Sequence, residues 1–220
     1  MSELLAKLKN NKGTTSSALG KALAKEVLAG DEALLQAAID YLGYMAGEEE
    51  GKQVRAGAAK ILEKVAEKKP ALVAPHLSSL VVGLDQPEPQ TRWMIIQVFG
   101  FCAQLNPEVA AQGLGFAQSY LAERQGVCLS GAADLYLGMM GAVSEKFAAK
   151  AFPLLMEAYE NPLTNEMDWV LEGMMKIAPL LSDGDRGVLA ECAQEQLGAF
   201  KTSTQKRGRK LQKILGKLSH

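Results

Sequence analysis

Apolar residues recur along this chain at helical spacing, and the spacing itself recurs. From Leu72 to Asn106 the pattern predicts two amphipathic helices joined by a tight turn at Asp85, Pro87 and Pro89. The second helix is expected to open at Thr91 and Arg92 and to stop before Pro107. Its residues Ile95, Val98, Phe99 and Cys102 stand at i, i+3, i+4 and i+7, one apolar stripe on a helix of 3.6 residues per turn. Arg55 precedes Arg92 by 37 residues, as Pro70 precedes Pro107, and Ala58, Ile61, Leu62 and Val65 repeat the stripe. It returns as Ala132, Leu135, Tyr136 and Met139 after Leu129, and as Leu171, Met174, Met175 and Ala178 after Asp168.

The companion helix repeats as well: Leu77, Leu80, Val81 and Leu84 align with Leu114, Ala117, Gln118 and Leu121, then with Phe152, Leu155, Met156 and Tyr159. A helix with one apolar stripe cannot bury it alone, so stacked pairs are the physical outcome. Ser2 to Leu8 reads as a short leading helix, and Thr14 to Ser17 offer N-caps for the next. Gly30 and Asp31 end that helix and cap its successor, residues 48 to 50 read as a loop, and the SDGDRG phrase after Leu181 supplies a loop and a cap. Period-2 alternation is nearly absent, so no sheet is expected. The predicted architecture is all-α: a right-handed solenoid of about five helix pairs in one domain. Residues 1–30 would be N-terminal capping helices, 31–182 the repeats, and 183–220 C-terminal capping helices with a basic tail.

The segments VVGLDQPEPQTRWMIIQVFG and EEEGKQVRAGAAKILEKVA, with Leu84–Asp85 closing one helix and Val54–Arg55 opening another, resemble the HEAT-repeat family. The resemblance covers roughly residues 31 to 180; Leu129 and Asp168 stand where that family has arginine. It implies an armadillo-like stack whose second helices line a concave ligand surface. Turning half-way round each second helix from its apolar stripe gives the residues expected there. They are Ala56, Lys60, Glu63 and Glu67; Trp93, Gln97, Gly100 and Gln104; Ser130, Asp134, Leu137 and Gly141; and Trp169, Gly173 and Lys176. Both tryptophans of the chain share one repeat position, and wide aromatic rings are the usual anchors of an interface. Trp93, Gln97, Asp134, Trp169 and Lys176 are therefore the candidate partner-binding set, and the partner expected is another protein. Arg55 and Arg92 are expected to bond turn carboxylates or carbonyls between repeats, with Asp85 as a natural partner.

Charge adds one alternative. The net charge is −1, but from Lys201 onward every charged side chain is basic, and all 25 acidic residues lie earlier. Lys206, Arg207, Arg209, Lys210 and Lys213, above the apolar stripe Leu211, Ile214, Leu215 and Leu218, could bind nucleic acid or another anion. A basic outer face on a terminal helix that seals the stack is the plainer reading.

Hydrophobic residues at 48% and charged residues at 22% fit a globular chain, and no apolar run is long enough to span a membrane. The opening MSELLAKLKNNKG has no apolar signal-peptide block, so a cytoplasmic location is expected. Cys102, Cys128 and Cys192 are isolated in apolar helical pattern and read as buried free thiols. With only His76 and His220 as histidines, no nucleophile-and-base pair, no metal cluster and no phosphate loop, a non-catalytic protein without cofactor or metal is expected. Asp183 and Asp185 imitate part of a calcium loop without its later glutamate, and read as a cap. One enzymatic resemblance remains: the HEAT-like DNA alkylation-repair glycosylases, whose tryptophans and acid Trp93, Trp169, Asp134 and Asp168 could imitate. The acidic body opposes a DNA duplex.

Overall fold

The computed structural model describes residues 3–11 and 18–218; the caps expected at Thr14 to Ser17 and the terminal His220 fall outside them. The described residues are helical and contain no strand. They form two compact units, Met1–Phe116 and Ala117–His220. The first carries α1 (Glu3–Lys9), α2 (Ala18–Leu28), α3 (Glu32–Asp40), α4 (Glu48–Lys68), a 3-10 helix over Ala74–Asp85, α5 (Pro89–Cys102) and the short α6 (Pro107–Ala110). The boundary falls inside α7 (Gly113–Glu123). The second unit continues with α8 (Val127–Gly141), α9 (Glu145–Glu160), α10 (Met167–Ile177), α11 (Asp183–Glu195) and α12 (Thr202–Leu218).

Local chemistry sets the helix ends. Gly30 takes φ +114°, a backbone conformation that costs glycine little, and Asp31 then caps α3 by accepting from Leu34 N at 2.9 Å. Ser144 caps α9 in the same way, and Ser182 caps α11 by accepting from Asp185 N at 3.2 Å. Glu48, Glu49 and Glu50 are not a loop as expected: they form the first turn of α4, where the helix dipole favours negative charge. The segment before α5 also departs from expectation. Four of its five buried residues, Ala74, Leu77, Leu80 and Gly83, are spaced by three, which matches the three residues per turn of a 3-10 helix; Leu84 at its end is the fifth, and Val82 turns outward. Gly83 lies so close to α5 that a Cβ there would stand 2.8 Å from Ile95 Cγ1.

In the first unit α2, α4 and α5 lie side by side, with α3 and the 3-10 helix packed behind them. In the second, α8, α10 and α12 form a row backed by α9 and α11. Neighbours in a row run parallel. Arg55 of α4 meets Glu88 at the start of α5, while the Cys102 thiol at the end of α5 lies 3.7 Å from Pro70 O beyond the end of α4. In the second unit Gly131, Gly138 and Gly141 of α8 lie against Trp169, Gly173 and Ile177 of α10 in the same order. Side-chain hydrogen bonds joining successive repeats have partners 32 to 37 residues apart, among them Asn106 Nδ2 to Ala74 O, Arg124 Nη1 to Asn161 O, and Tyr159 Oη to Cys192 O. The repeat read from apolar spacing is thus the repeat of the packing.

The predicted apolar stripes are core. Ala58, Ile61, Leu62, Val65, Ile95, Val98, Phe99, Cys102, Ala132, Tyr136, Leu171, Met174 and Ala178 are buried; Leu135 and Met139 are partly covered. Cys102 and Cys192 are buried, and burial pushes the Cys102 thiol up to about 12. Cys128 is exposed, contrary to expectation, because it falls in the first turn of α8 where no neighbour covers it.

Candidate functional site

The row helices are covered more completely than a one-stripe reading allows. α4 packs against α1, α2, α3 and α5, so Ala56, Lys60 and Glu63, placed on an open face by sequence, are buried. Beyond its first turn, where Pro89 and Gln90 are part open, α5 leaves Trp93, Gln97 and Phe101 partly open, and Gln104 is exposed just beyond the helix end. At 100° per residue these last four subtend about 80° of the helix circumference and make one strip. Phe101 and its place beside Gln97 were missed by sequence reasoning. Its signal was present, since it stands eight residues after Trp93.

Trp93 is held from beneath. Lys60 Nζ lies 4.9 Å from the centre of its ring, and Lys60 is only 4% exposed. That ammonium is paired with Glu63 at 2.5 Å, and Glu63 also meets Lys64 at 3.2 Å. A desolvated cation over an indole contributes about 0.5 to 2 kcal/mol, so the ring has a fixed seat while part of it faces solvent. The neighbouring ion pair fixes α5 at its start. Arg55 donates Nε and Nη2 to the two Glu88 oxygens at 2.9 and 2.7 Å and Nη1 to Tyr44 O at 2.9 Å, while Thr91 Oγ1 donates to Glu88 at 2.6 Å. Burial alone would raise the Glu88 carboxyl, but the bonds from Arg55 and Thr91 hold it below the usual range. Arg55 therefore plays the expected inter-repeat role, with Glu88 in place of Asp85, which is exposed.

In the second unit the face read as open is the α8–α10 contact. Ser130, Asp134, Leu137 and Gly141 are buried. Asp134 is 0% exposed, so it cannot meet a partner as expected of it. A Cβ on Gly131 would fall within the Trp169 ring, and one on Gly138 would stand 2.6 Å from Gly173 Cα. Trp169 is accordingly seated on Gly131, partly covered, while Lys176 is exposed. Neither carboxyl oxygen of Asp134 nor the Ser130 hydroxyl has a hydrogen-bond partner among the described residues. Burial pushes the Asp134 carboxyl well above the usual carboxylate range, and the charge of nearby Glu166 pushes the same way.

The basic terminal helix divides its charges between two tasks. Thr204, Gly208, Leu211 and Leu215 face inward at i, i+4, i+7 and i+11 and pack α12 on α10 and α11. Arg207 bridges Asp168 at 3.3 Å and Glu172 at 3.2 Å, and Thr204 Oγ1 donates to Asp168 at 2.6 Å. Burial would raise Asp168, but the bonds from Thr204 and Ser203 and the charges of Arg207 and Lys201 hold it low. Lys206, Arg209, Lys210 and Lys213 remain exposed. Within this unit the acids named for the glycosylase resemblance are thus enclosed (Asp134) or already paired (Asp168).

Among the described residues no group of three or more histidine, cysteine, aspartate or glutamate side chains is placed to hold a metal, and no helix is long and apolar enough to cross a membrane. No protein-family model matches the chain, and no curated protein matches it in sequence. Solved structures do match. An engineered protein, Northeast Structural Genomics Consortium target OR329, aligns at TM-score 0.65 and 14% identity over 99% of this chain and 98% of its own. The designed armadillo repeat protein YIII(Dq)4CqI aligns at 0.68 and 14% identity over 96% and 91%. A second engineered protein, target OR497, aligns at 0.62 and 12% identity over 97% of this chain, which spans 58% of its length. At these identities the likeness concerns the fold: an all-α, HEAT/armadillo-like repeat solenoid.

Proposed function

We propose that the protein is a non-catalytic binding scaffold that holds another protein against the α5 strip of Trp93, Gln97 and Phe101. The observation that carries this reading is Trp93: an indole partly open to solvent on a rigid helix, seated over a neutralised Lys60. A pre-ordered aromatic anchor loses little conformational freedom on binding, which is why such residues dominate interface energetics. A helical-repeat fold suits the role because it offers long, exposed helix faces. Of the residues first assigned to partner contact, Trp93 and Gln97 keep that role, Lys176 stands apart as an exposed cation, and Trp169 serves packing on Gly131. The proposal keeps the protein in the cytoplasm. A photo-crosslinking amino acid at Gln97, in the full chain in its native lysate, should trap one protein. The same residue at exposed Leu105 should trap it poorly, and equal trapping at both positions would contradict the assignment.

A second reading rests on α12, whose Lys206, Arg209, Lys210 and Lys213 are exposed and lack carboxylate partners among the described residues. Binding there to nucleic acid would weaken steeply with salt, because each phosphate contact releases a counterion.

A further inference from the structure

Beside the Trp93 strip, α2 and α4 enclose an open groove of about 490 Å³ lined by Lys21, Ala24, Lys25, Leu28, Lys64 and Lys68. Its floor is apolar: Ala24 is buried and Leu28 partly so. Gly20 of α2 lies against the stem of Lys60 on α4, with a Cβ there placed 2.6 Å from Lys60 Cγ. Parallel packing carries that register forward, bringing Ala24 level with Lys64 and Leu28 level with Lys68. Counted round α2 from the Gly20 contact at 100° per residue, Ala24 lies at about 40°, Leu28 at about 80°, Lys21 at about 100° and Lys25 at about 140°, so the apolar pair is nearer α4 and the lysines follow on its outer side. The floor is therefore flanked by two lysine rows, Lys21 with Lys25 and Lys64 with Lys68, each with its members four residues, or about 6 Å, apart along the axis. Lys64 and Lys68 share Glu67, at 2.7 and 3.8 Å, and Lys64 shares Glu63 with Lys60, so three cations face two carboxylates on the α4 side; Lys21 and Lys25 have no carboxylate partner among the described residues. The groove is net positive on both rims.

We propose that this groove takes an acidic amphipathic helix of a partner protein. Such a helix lays apolar side chains at i and i+4 over Ala24 and Leu28, and its flanking Glu or Asp residues meet a lysine row on each side with the same four-residue pitch. The two-sided arrangement is what selects a helix over an anionic membrane: a bilayer presents its charge on one plane, whereas these lysines border a cleft. This deepens, and rests on, the scaffold reading, because the groove belongs to the same row of helices as Trp93. It gives the partner a chemistry, acidic and amphipathic, which the aromatic strip by itself does not.

The test uses the full chain and a fluorescein-labelled synthetic peptide of about five helical turns, with leucine at i, i+4, i+7 and i+11 between glutamates, read by fluorescence anisotropy. Saturable binding is expected. It should weaken at least about tenfold in Lys21→Glu/Lys25→Glu and stay unchanged in Lys206→Glu/Lys210→Glu, with circular dichroism verifying that both variants remain helical. A peptide of identical composition with its leucines scattered should bind at least about tenfold more weakly. Binding that ignores the Lys21/Lys25 reversal, or equal binding of both peptides, overturns the proposal. So does tighter, lysine-dependent binding to vesicles of phosphatidylserine and phosphatidylcholine, which would assign the groove to lipid. Failure of the acidic peptide to bind overturns the groove assignment while the Gln97 crosslink still reports on the Trp93 strip, so the two failures are distinguishable.

Discussion

Asp134 offers a stability experiment with a worked sign and slope. Its carboxyl is wholly buried, both oxygens lack hydrogen-bond partners among the described residues, and its pKa is raised by burial first and by Glu166 second. The folded state therefore retains the proton at pH values where the unfolded chain, with an ordinary aspartate near 3.9, has lost it. Since stability changes with pH as the difference between protons bound unfolded and folded, this group makes stability fall as pH rises through that window. The slope is about 1.4 kcal/mol per pH unit until the folded carboxyl itself ionises. Asp134→Asn keeps the shape and removes the ionisation. In a Trp93→Phe background Trp169 is the chain's only tryptophan and lies in the second unit, so urea unfolding followed by its fluorescence reports that unit. Across the pH range above the ordinary aspartate value the variant should gain on its parent as pH rises, by that slope for as long as the folded carboxyl stays protonated. A stability difference constant across the range would show that Asp134 ionises at its ordinary pH and would refute the reasoning.

Three further outcomes follow from the packing. Glu88→Ala leaves Arg55 buried with Tyr44 O as its remaining acceptor and should destabilise the first unit by about 3 to 5 kcal/mol in denaturant unfolding. The Glu88 pKa is depressed on folding, so that ion pair contributes fully above the unfolded glutamate value, and its contribution is lost as pH falls through the lower folded value. Gly138→Ala drives a methyl into the Gly173 backbone and should cost about 1 to 3 kcal/mol by forcing α8 and α10 apart, whereas Gly216→Ala, with open space at its Cβ, should not destabilise. In a timed thiol-reactive labelling experiment on the folded protein, Cys128 should react first and Cys102 only on unfolding, as peptide mass mapping would show.

The repeat was legible because it is written in short-range chemistry. The recurrence of Arg55 as Arg92, the stripes i, i+3, i+4 and i+7, and the caps Asp31 and Ser182 each depend on residues within one or two helical turns. What escaped depends on residues a full repeat away. Lys60 and Glu63 look like solvent-facing charges until Gly20 and Trp93 are brought over Lys60 by helices 40 and 33 positions distant. Asp134 looks like a ligand-facing acid because its own helix shows one apolar stripe; the α10 backbone that covers it approaches through Gly131, Gly138 and Gly173. Reading those glycines as contact points, rather than as weak helix formers, would have marked α8–α10 as closed. The 3-10 helix was equally readable, since Ala74, Leu77, Leu80 and Gly83 keep a period of three.

The measurement that bears most directly on the scaffold reading is quantitative affinity capture of the tagged full chain from its native lysate, with and without nuclease. It would compare the wild type with Trp93→Ala/Gln97→Ala and with Lys206→Glu/Lys210→Glu. The account predicts a stoichiometric protein partner that survives nuclease, falls at least about tenfold with the α5 variant at unchanged helicity, and ignores the α12 variant. A partner lost on nuclease treatment and on reversal of the α12 charges, but indifferent to Trp93, would contradict it and make the basic helix the functional surface.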